Sequence, residues 1–136
     1  MAYMEWTQDL AVGQPQIDEE HRSLVAAVND LHAALDQGRD RQEIERILVF
    51  LRGYVVRHFE QEETLMIRHR FPGAPGHFAA HAELVLRVSD LLAALRSGRE
   101  VLTEAVLAFL GTWLREHFQG QDQVFGDYLR AKGVVD

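Results

Sequence analysis

The sequence predicts an all-α protein: an antiparallel up-down-up-down four-helix bundle with an N-terminal arm and a short C-terminal helix. Apolar residues recur at steps of three and four through four segments, which is the spacing of one buried face on an α-helix. Glycine-bearing loops separate these segments, and signals for strands are absent. Helices joined by short loops lie antiparallel to their neighbours, so the four apolar faces bury one another.

The N-terminal arm, residues 1–17, is expected to be extended, with Trp6 packing back on the body of the protein. Asp18 is a good N-cap residue, so the first helix is predicted to begin there. Its apolar stripe continues until Gly38, which is a typical residue at which a helix ends.

The second helix is predicted to begin at Asp40, because Glu43 lies three residues later and the two form a plausible capping box. It runs to about Arg70, where the segment FPGAPG at 71–76 breaks the chain. A third helix follows this segment and ends at Gly98.

The fourth helix is predicted from roughly Leu102 and carries an apolar stripe as far as His117. A short amphipathic segment, Val124 to Lys132, then closes the sequence. Consecutive stripes must face one another because no other element is available to bury them.

Five histidines lie on the apolar stripes, and every predicted long helix supplies at least one. In an antiparallel bundle the starts of odd helices and the ends of even helices share one end, which brings all five to one layer. His58 with Glu62, and His77 with His81, are four residues apart, so each pair projects from one helix face. The five histidines are His21, His58, His77, His81 and His117.

Asp122 is a further candidate for this layer, although it follows His117 by five residues and would lie about 140° away on a regular helix. Gly120 lies between the two and allows the helix to distort or end, which would turn the carboxylate inward. Glu63 lies about 100° from Glu62 and is expected to face solvent.

One histidine on an apolar stripe is usually a hydrogen-bonded core residue, and His32 is interpreted in that way, while His69 belongs to an exposed loop. Five histidines at one level would need five separate partners, and a buried Glu62 would need a cation or its own proton. A metal centre satisfies these groups together. Seven ligands are too many for one tetrahedral zinc ion, and five imidazoles with two carboxylates suit two transition-metal ions, iron first.

Composition excludes several classes of function. The 136 residues fit one domain, 1–136, and a content of 47% hydrophobic and 26% charged residues is typical of a globular chain. The formal net charge of -7 argues against a nucleic-acid partner, and the absence of cysteine excludes disulfides and iron–sulfur clusters. Because no apolar run could span a bilayer and no export signal is visible, a cytoplasmic protein without membrane insertion is expected.

At these residues the sequence resembles the hemerythrin family, specifically the single-domain bacteriohemerythrins, over essentially its whole length. Seven positions on four helices match in order and spacing, which makes the resemblance specific. It implies a non-heme di-iron centre that binds dioxygen reversibly. The matching pieces are Trp6, IDEEH at 17–21, HFEQEETLM at 58–66, FPGAPGHFAAH at 71–81 and WLREHFQGQD at 113–122.

The resemblance implies a role for each candidate ligand. The two irons would be ferrous without oxygen and ferric in the oxygenated or oxidised protein. Two octahedral irons would then keep one open position, on the iron with two histidines, for dioxygen. Leu114, three residues before the last histidine, matches a family leucine near the oxygen site, although a simple core role fits it equally well. The implied ligands are His77, His81 and His117 for one iron, His21 and His58 for the other, and Glu62, Asp122 and an oxo or hydroxo group as bridges.

Dioxygen is therefore the expected partner, and an oxygen-using enzyme is a candidate recipient. The chain is expected to be a monomeric binding protein (a carrier, store or delivery protein) and not an enzyme. Two alternatives use the same centre: an enzyme that reduces nitric oxide or peroxide, and an oxygen- or redox-sensing module.

The sequence departs from the family pattern at Glu20, where glutamine is common, at Phe118, where isoleucine is usual, and at Gln121, where a smaller residue is frequent. None of the three is expected to touch a ligand. Phe59, Trp113 and Phe118 are interpreted as packing residues.

Overall fold

A computed structural model describes residues 3–98 and 104–134, and these residues form helices, turns and the arm without any strand. The predicted all-α fold of four long helices followed by a short one is confirmed. The predicted start of the fourth helix near Leu102 lies outside the described residues. The helices are α1 (Pro15–Asp36), α2 (Arg41–Arg68), α3 (Ala74–Arg96), α4 (Glu104–His117) and α5 (Gln123–Ala131), with a 3₁₀ turn at Gln8–Leu10 and a π-helical turn at Phe118–Asp122.

Contacts between neighbouring helices show that they are antiparallel. Residues later in α2 contact residues earlier in α3. Glu20, near the start of α1, contacts His58, near the end of α2. The starts of α1 and α3 and the end of α2 therefore share one end of the bundle. The pairs between α2 and α3 are Glu45 with Arg96, Arg52 with Ser89, and Glu63 with His81.

Two apolar clusters hold the bundle together, and they lie on opposite sides of the histidine layer. Along α1 the order is Ile17, His21, Leu24: Ile17 belongs to the smaller cluster and Leu24 to the larger. The larger cluster draws on all four long helices, and the smaller one joins the arm, α1, α2 and α5. Each leucine that is fully buried in such a core contributes about 1.5–3 kcal/mol. No helix in the described ranges combines the length and apolarity that a membrane crossing requires.

The start of α1 differs from the prediction, because the helix begins at Pro15 and not at Asp18. Proline suits a first helical position, since its fixed φ is helical and its missing N–H needs no partner there. The carboxylate of Asp18 instead accepts hydrogen bonds from the backbone N–H groups of Val12 (2.7 Å) and Gly13 (3.3 Å). Asp18 therefore ties the arm to the bundle.

The arm packs back on the body as predicted, although it is not extended throughout. Trp6 packs against the larger cluster, and the guanidinium of Arg22 lies 5.0 Å above its ring. Met4 is 1% exposed, and its backbone N–H and carbonyl both bond to the side chain of Asn29.

The predicted helix ends are close to those observed. The Asp40 carboxylate accepts from the backbone N–H of Glu43 at 2.9 Å, as the predicted cap requires. Gly38 and Gly98 have φ values of +65° and +74°, the left-handed conformation that favours glycine at a helix end. The start of α3 differs, because Ala74 and the proline after it already belong to its first turn.

Replacing Gly126 in α5 by alanine is expected to lower the free energy of unfolding by about 1–3 kcal/mol. A Cβ atom there would collide with the backbone carbonyl oxygen of Val12 and lie 2.9 Å from its Cβ, so the arm would have to move. Gly53 in α2 is the matched control, because its Cβ would meet nothing within 4 Å. Gly53→Ala is expected to stabilise by about 0.5–1 kcal/mol. Urea unfolding measures both, and stabilisation by both substitutions would contradict the clash.

Candidate metal centre

The structure places all seven predicted ligand side chains in one buried layer between the apolar clusters, and none is more than 5% exposed. Two groups of potential metal ligands occur in this layer, and within each group the donor atoms lie within 4.8 Å of one another. Glu62 belongs to both groups. The first group is Glu62, His77, His81, His117 and Asp122, and the second is His21, His58 and Glu62.

Asp122 reaches the layer because the chain between it and His117 is not a regular α-helix. Residues Phe118–Asp122 form a π-helical turn, in which hydrogen bonds join residues five apart. Asp122 therefore lies on the same side as His117, at 3.2 Å from its Nε2. The distortion predicted around Gly120 thus takes the form of a wider turn and not of a helix end.

Nine buried nitrogen and oxygen atoms in this layer have no hydrogen-bond partner among the described residues, and they belong to His21, His58, Glu62, His77 and Asp122. The Nε2 atom of His77 lies 2.8 Å from Oε1 of Glu62 and 2.8 Å from Oδ1 of Asp122, without the angles of a hydrogen bond. Each such buried atom costs about 1–3 kcal/mol when it stays unpaired.

The same spacings fit ligands that surround a cation. Ligand atoms about 2.1 Å from a divalent ion and at right angles to each other are about 3 Å apart. The Nε2 atoms of His81 and His117 are 3.1 Å apart, and His81 Nε2 lies 3.3 Å from Glu62. The donor atoms therefore converge on shared points, and the residues present fit a bound transition-metal ion.

Two carboxylates outside the predicted set contact histidines of this layer. Oε1 of Glu20 lies 2.6 Å from Nδ1 of His58, and Oε2 of Glu63 lies 2.8 Å from Nδ1 of His81. The prediction that Glu63 faces solvent is therefore wrong in part, because its side chain is only 29% exposed. The prediction that Glu20 touches no ligand candidate is wrong as well. Metal-binding imidazoles commonly donate their second N–H to a carboxylate, and that tendency was the signal for both residues.

Three aromatic rings stack on three histidines of the layer. Phe59 lies 3.6 Å from His81 between ring centroids, at an interplanar angle of 2°. Phe118 stacks on His21 at 3.8 Å, and Trp113 stacks on His117 at 4.6 Å. These rings pack as predicted, but Phe118, the first residue of the π-helical turn, does touch a ligand candidate, His21. The stacks restrict the rotation of the imidazoles.

Both carboxylates of the layer are held in the ionised form. Burial alone would raise the pKa of Glu62, but the histidines around it hold that pKa well below its ordinary value. Burial and the charge of Glu62 would raise the pKa of Asp122, but His117 and His21 lower it. Two buried anions therefore face the imidazoles.

In the metal-free protein the pKa values of two histidines in the layer, His58 and His77, are raised. Burial alone would lower the pKa of His58, but the carboxylates of Glu20 and Glu62 raise it to about 10. Burial alone would also lower the pKa of His77, but the carboxylates of Asp122 and Glu62 raise it to about 9. Metal binding must displace these protons.

Metal-free protein is therefore expected to lose stability as the pH rises from about 6.5 to about 10. A histidine whose pKa is raised by folding contributes stability that is complete below the unfolded pKa, near 6.5, and is lost as the pH rises through the folded value. The affinity for divalent metal is expected to rise over the same range, because fewer protons compete. Thermal unfolding and metal titration at several pH values measure the two slopes. Slopes of the same sign would contradict this assignment of protons.

His32 and His69 lie apart from the layer, and Leu114 lies beside it in the larger cluster. His32 is half-buried and stacks on the ring of Tyr3 at 4.3 Å, so it is less buried than predicted. His69 is half-buried at the end of α2. Leu114 is 2% exposed within the larger cluster, which fits both a core role and the predicted oxygen pocket.

The chain matches a family model, described as the hemerythrin HHE cation binding domain, over residues 12–129. The bacteriohemerythrin of Methylococcus capsulatus is 32% identical over 132 residues, which cover 96% of this chain and 100% of that protein. The bacteriohemerythrin of Pseudomonas aeruginosa is 32% identical over 130 residues, with 96% and 84% covered. A crystal structure of wild-type hemerythrin superposes with a TM-score of 0.88 at 31% identity, covering 93% of this chain and 97% of that one. The chain thus belongs to the hemerythrin family.

Proposed function

We propose that this chain binds dioxygen reversibly at a non-heme di-iron centre, as an oxygen carrier, store or delivery protein and not as an enzyme. The observation that carries the proposal is the buried layer of five imidazoles and two ionised carboxylates with unpaired, converging donor atoms. Membership of the hemerythrin family supports iron as the metal. The cytoplasmic location, the single domain and the monomeric state remain predictions.

The two bridging carboxylates are proposed from the way their oxygen atoms divide between the groups. Oε1 of Glu62 faces His77 at 2.8 Å, whereas its Oε2 faces His58 at 3.3 Å. Oδ1 of Asp122 likewise faces His77 at 2.8 Å, whereas its Oδ2 faces His21 at 3.1 Å. Each carboxylate, with its oxygens facing different imidazoles, would then bridge the two iron ions.

The proposed ligand sets follow from the same division. The first group would bind one iron and the second group the other. An oxo or hydroxo bridge would complete the centre beside the two carboxylates. The sets would be His77, His81 and His117 for the first iron, His21 and His58 for the second, and Glu62 with Asp122 shared between them.

When bound, a pair of iron ions supplies the two electrons that reversible oxygen binding needs. The chain holds this pair in place and keeps bulk water away from it, because apolar clusters lie above and below the layer. Leu114 lies one turn from His117 and is proposed to line the oxygen pocket. Exclusion of water limits side reactions at such a site.

Gas-uptake measurements on the anaerobically reduced protein test this function. Each chain is expected to take up one dioxygen quickly and to release it when oxygen is removed. The same sample, given an electron donor with nitric oxide or peroxide, is expected to show no sustained consumption. Sustained turnover would favour the reductase, and recovery of a signalling protein only from oxygenated extract would favour the sensing module.

A further inference from the structure

Two carboxylates that are not among the proposed ligands each contact a proposed ligand histidine on the helix that follows their own. Glu20 on α1 faces Nδ1 of His58 on α2, at 2.6 Å, and Glu63 on α2 faces Nδ1 of His81 on α3, at 2.8 Å. Each carboxylate also stands directly beside a proposed ligand in sequence, His21 or Glu62. One such pair therefore occurs in each of the two ligand groups.

A carboxylate oxygen accepts but does not donate, so each of these contacts requires a proton on Nδ1. The Nε2 lone pair of the same ring is then free for the metal. That atom does face the layer, because Nε2 of both His58 and His81 lies 3.3 Å from a Glu62 oxygen. The charge of the acceptor also makes Nε2 a stronger electron donor.

The two other histidines with unpaired Nδ1 atoms provide a contrast within the same layer. Nδ1 of His21 and Nδ1 of His77 are buried without a hydrogen-bond partner among the described residues. The carboxylates are thus not a general consequence of packing histidines between these helices.

We propose that Glu20 and Glu63 are positioning residues, one for each metal ion, which orient His58 and His81 and strengthen their Nε2 atoms as ligands. The proposal rests on the proposed di-metal centre. Glu20 has the larger effect of the two, because it is more buried than Glu63 and its charge is less screened by water. Gln16 holds Glu20 in place by donating to its other oxygen at 2.8 Å.

Titration of metal-free protein with Co²⁺ alone, in competition with a chelator, tests this role without reference to oxygen binding. The wild type is expected to bind two ions. Glu20→Ala and Glu63→Ala are each expected to lower the affinity for one of the two ions by about 10–100-fold, with the greater loss for Glu20→Ala. The double variant is expected to bind both ions with lower affinity than the wild type. Glutamine at either position keeps a hydrogen-bond acceptor but not the charge. The glutamine variants are therefore expected to lose less metal affinity than the alanine variants.

Glu19→Ala and Glu60→Ala are the matched controls, because they remove exposed carboxylates from the same helices and are expected to leave both ions unchanged. Circular dichroism of the metal-free variants checks folding, and the glutamine variants decide the matter if an alanine variant does not fold. Folded variants that bind both ions with wild-type affinity would overturn the proposal. A double variant that keeps one ion unaffected would also overturn it. A wild type that fails to bind two ions would instead refute the proposed centre.

Discussion

Glu62→Ala is expected to abolish tight binding of both metal ions. Glu62 is the one residue common to the two ligand groups, and its oxygens lie within 3.3 Å of nitrogens on His58, His77 and His81. Alanine removes a shared ligand and one of the two buried carboxylates that face the imidazoles. Iron analysis of protein reconstituted under anaerobic conditions is expected to find well under one ion per chain.

Glu60→Ala is the control for this experiment, because Glu60 lies on the same helix with an exposed side chain. It is expected to keep two irons. Glu62→Gln preserves the shape of the side chain and is expected to lose metal nearly as fully, since a neutral amide is a poor bridge between two cations. Two tightly bound irons in Glu62→Ala would contradict the shared-ligand assignment.

His77→Ala is expected to lower iron below two per chain and to remove reversible oxygen binding. His77 belongs to the first ligand group alone, and its Nε2 lies 2.8 Å from both proposed bridging carboxylates. Its loss opens the first iron site directly, whereas His21 and His58 stay in place around the second. Iron content and oxygen uptake measure the effect.

His32→Ala is the matched histidine substitution, because His32 shares the stripe of His21 but stacks on Tyr3 outside the layer. It is expected to keep both irons and normal oxygen uptake. Full iron occupancy and unchanged oxygen binding in His77→Ala would refute its role as a ligand.

The fold was predictable because its determinants are local in sequence. Stripes of apolar residues define each long helix, and glycines such as Gly38 and Gly98 end two of them. The start of α1 was not predictable in this way. Asp18 has the chemistry of an N-cap, but it bonds to the arm, and that contact exists only once the arm has folded back.

The site was predictable in part. Helical periodicity and antiparallel packing together imply that the five histidines and Glu62 meet, whereas their role as ligands remains a prediction. The position of Asp122 depends on a π-helical turn, for which Gly120 is only a weak signal. Glu20 and Glu63 contact histidines on a neighbouring helix. The periodicity of a single helix carries no information about such pairs.

The visible spectrum of one anaerobically reduced sample tests the di-iron, oxygen-binding account most directly. It is recorded before oxygen is admitted, after oxygen is admitted, and again after oxygen is removed. A reversible di-iron centre predicts a band that appears with oxygen and disappears when oxygen is withdrawn, through repeated cycles. A spectrum that changes once and does not return, or that never responds to oxygen, would contradict reversible binding at this centre.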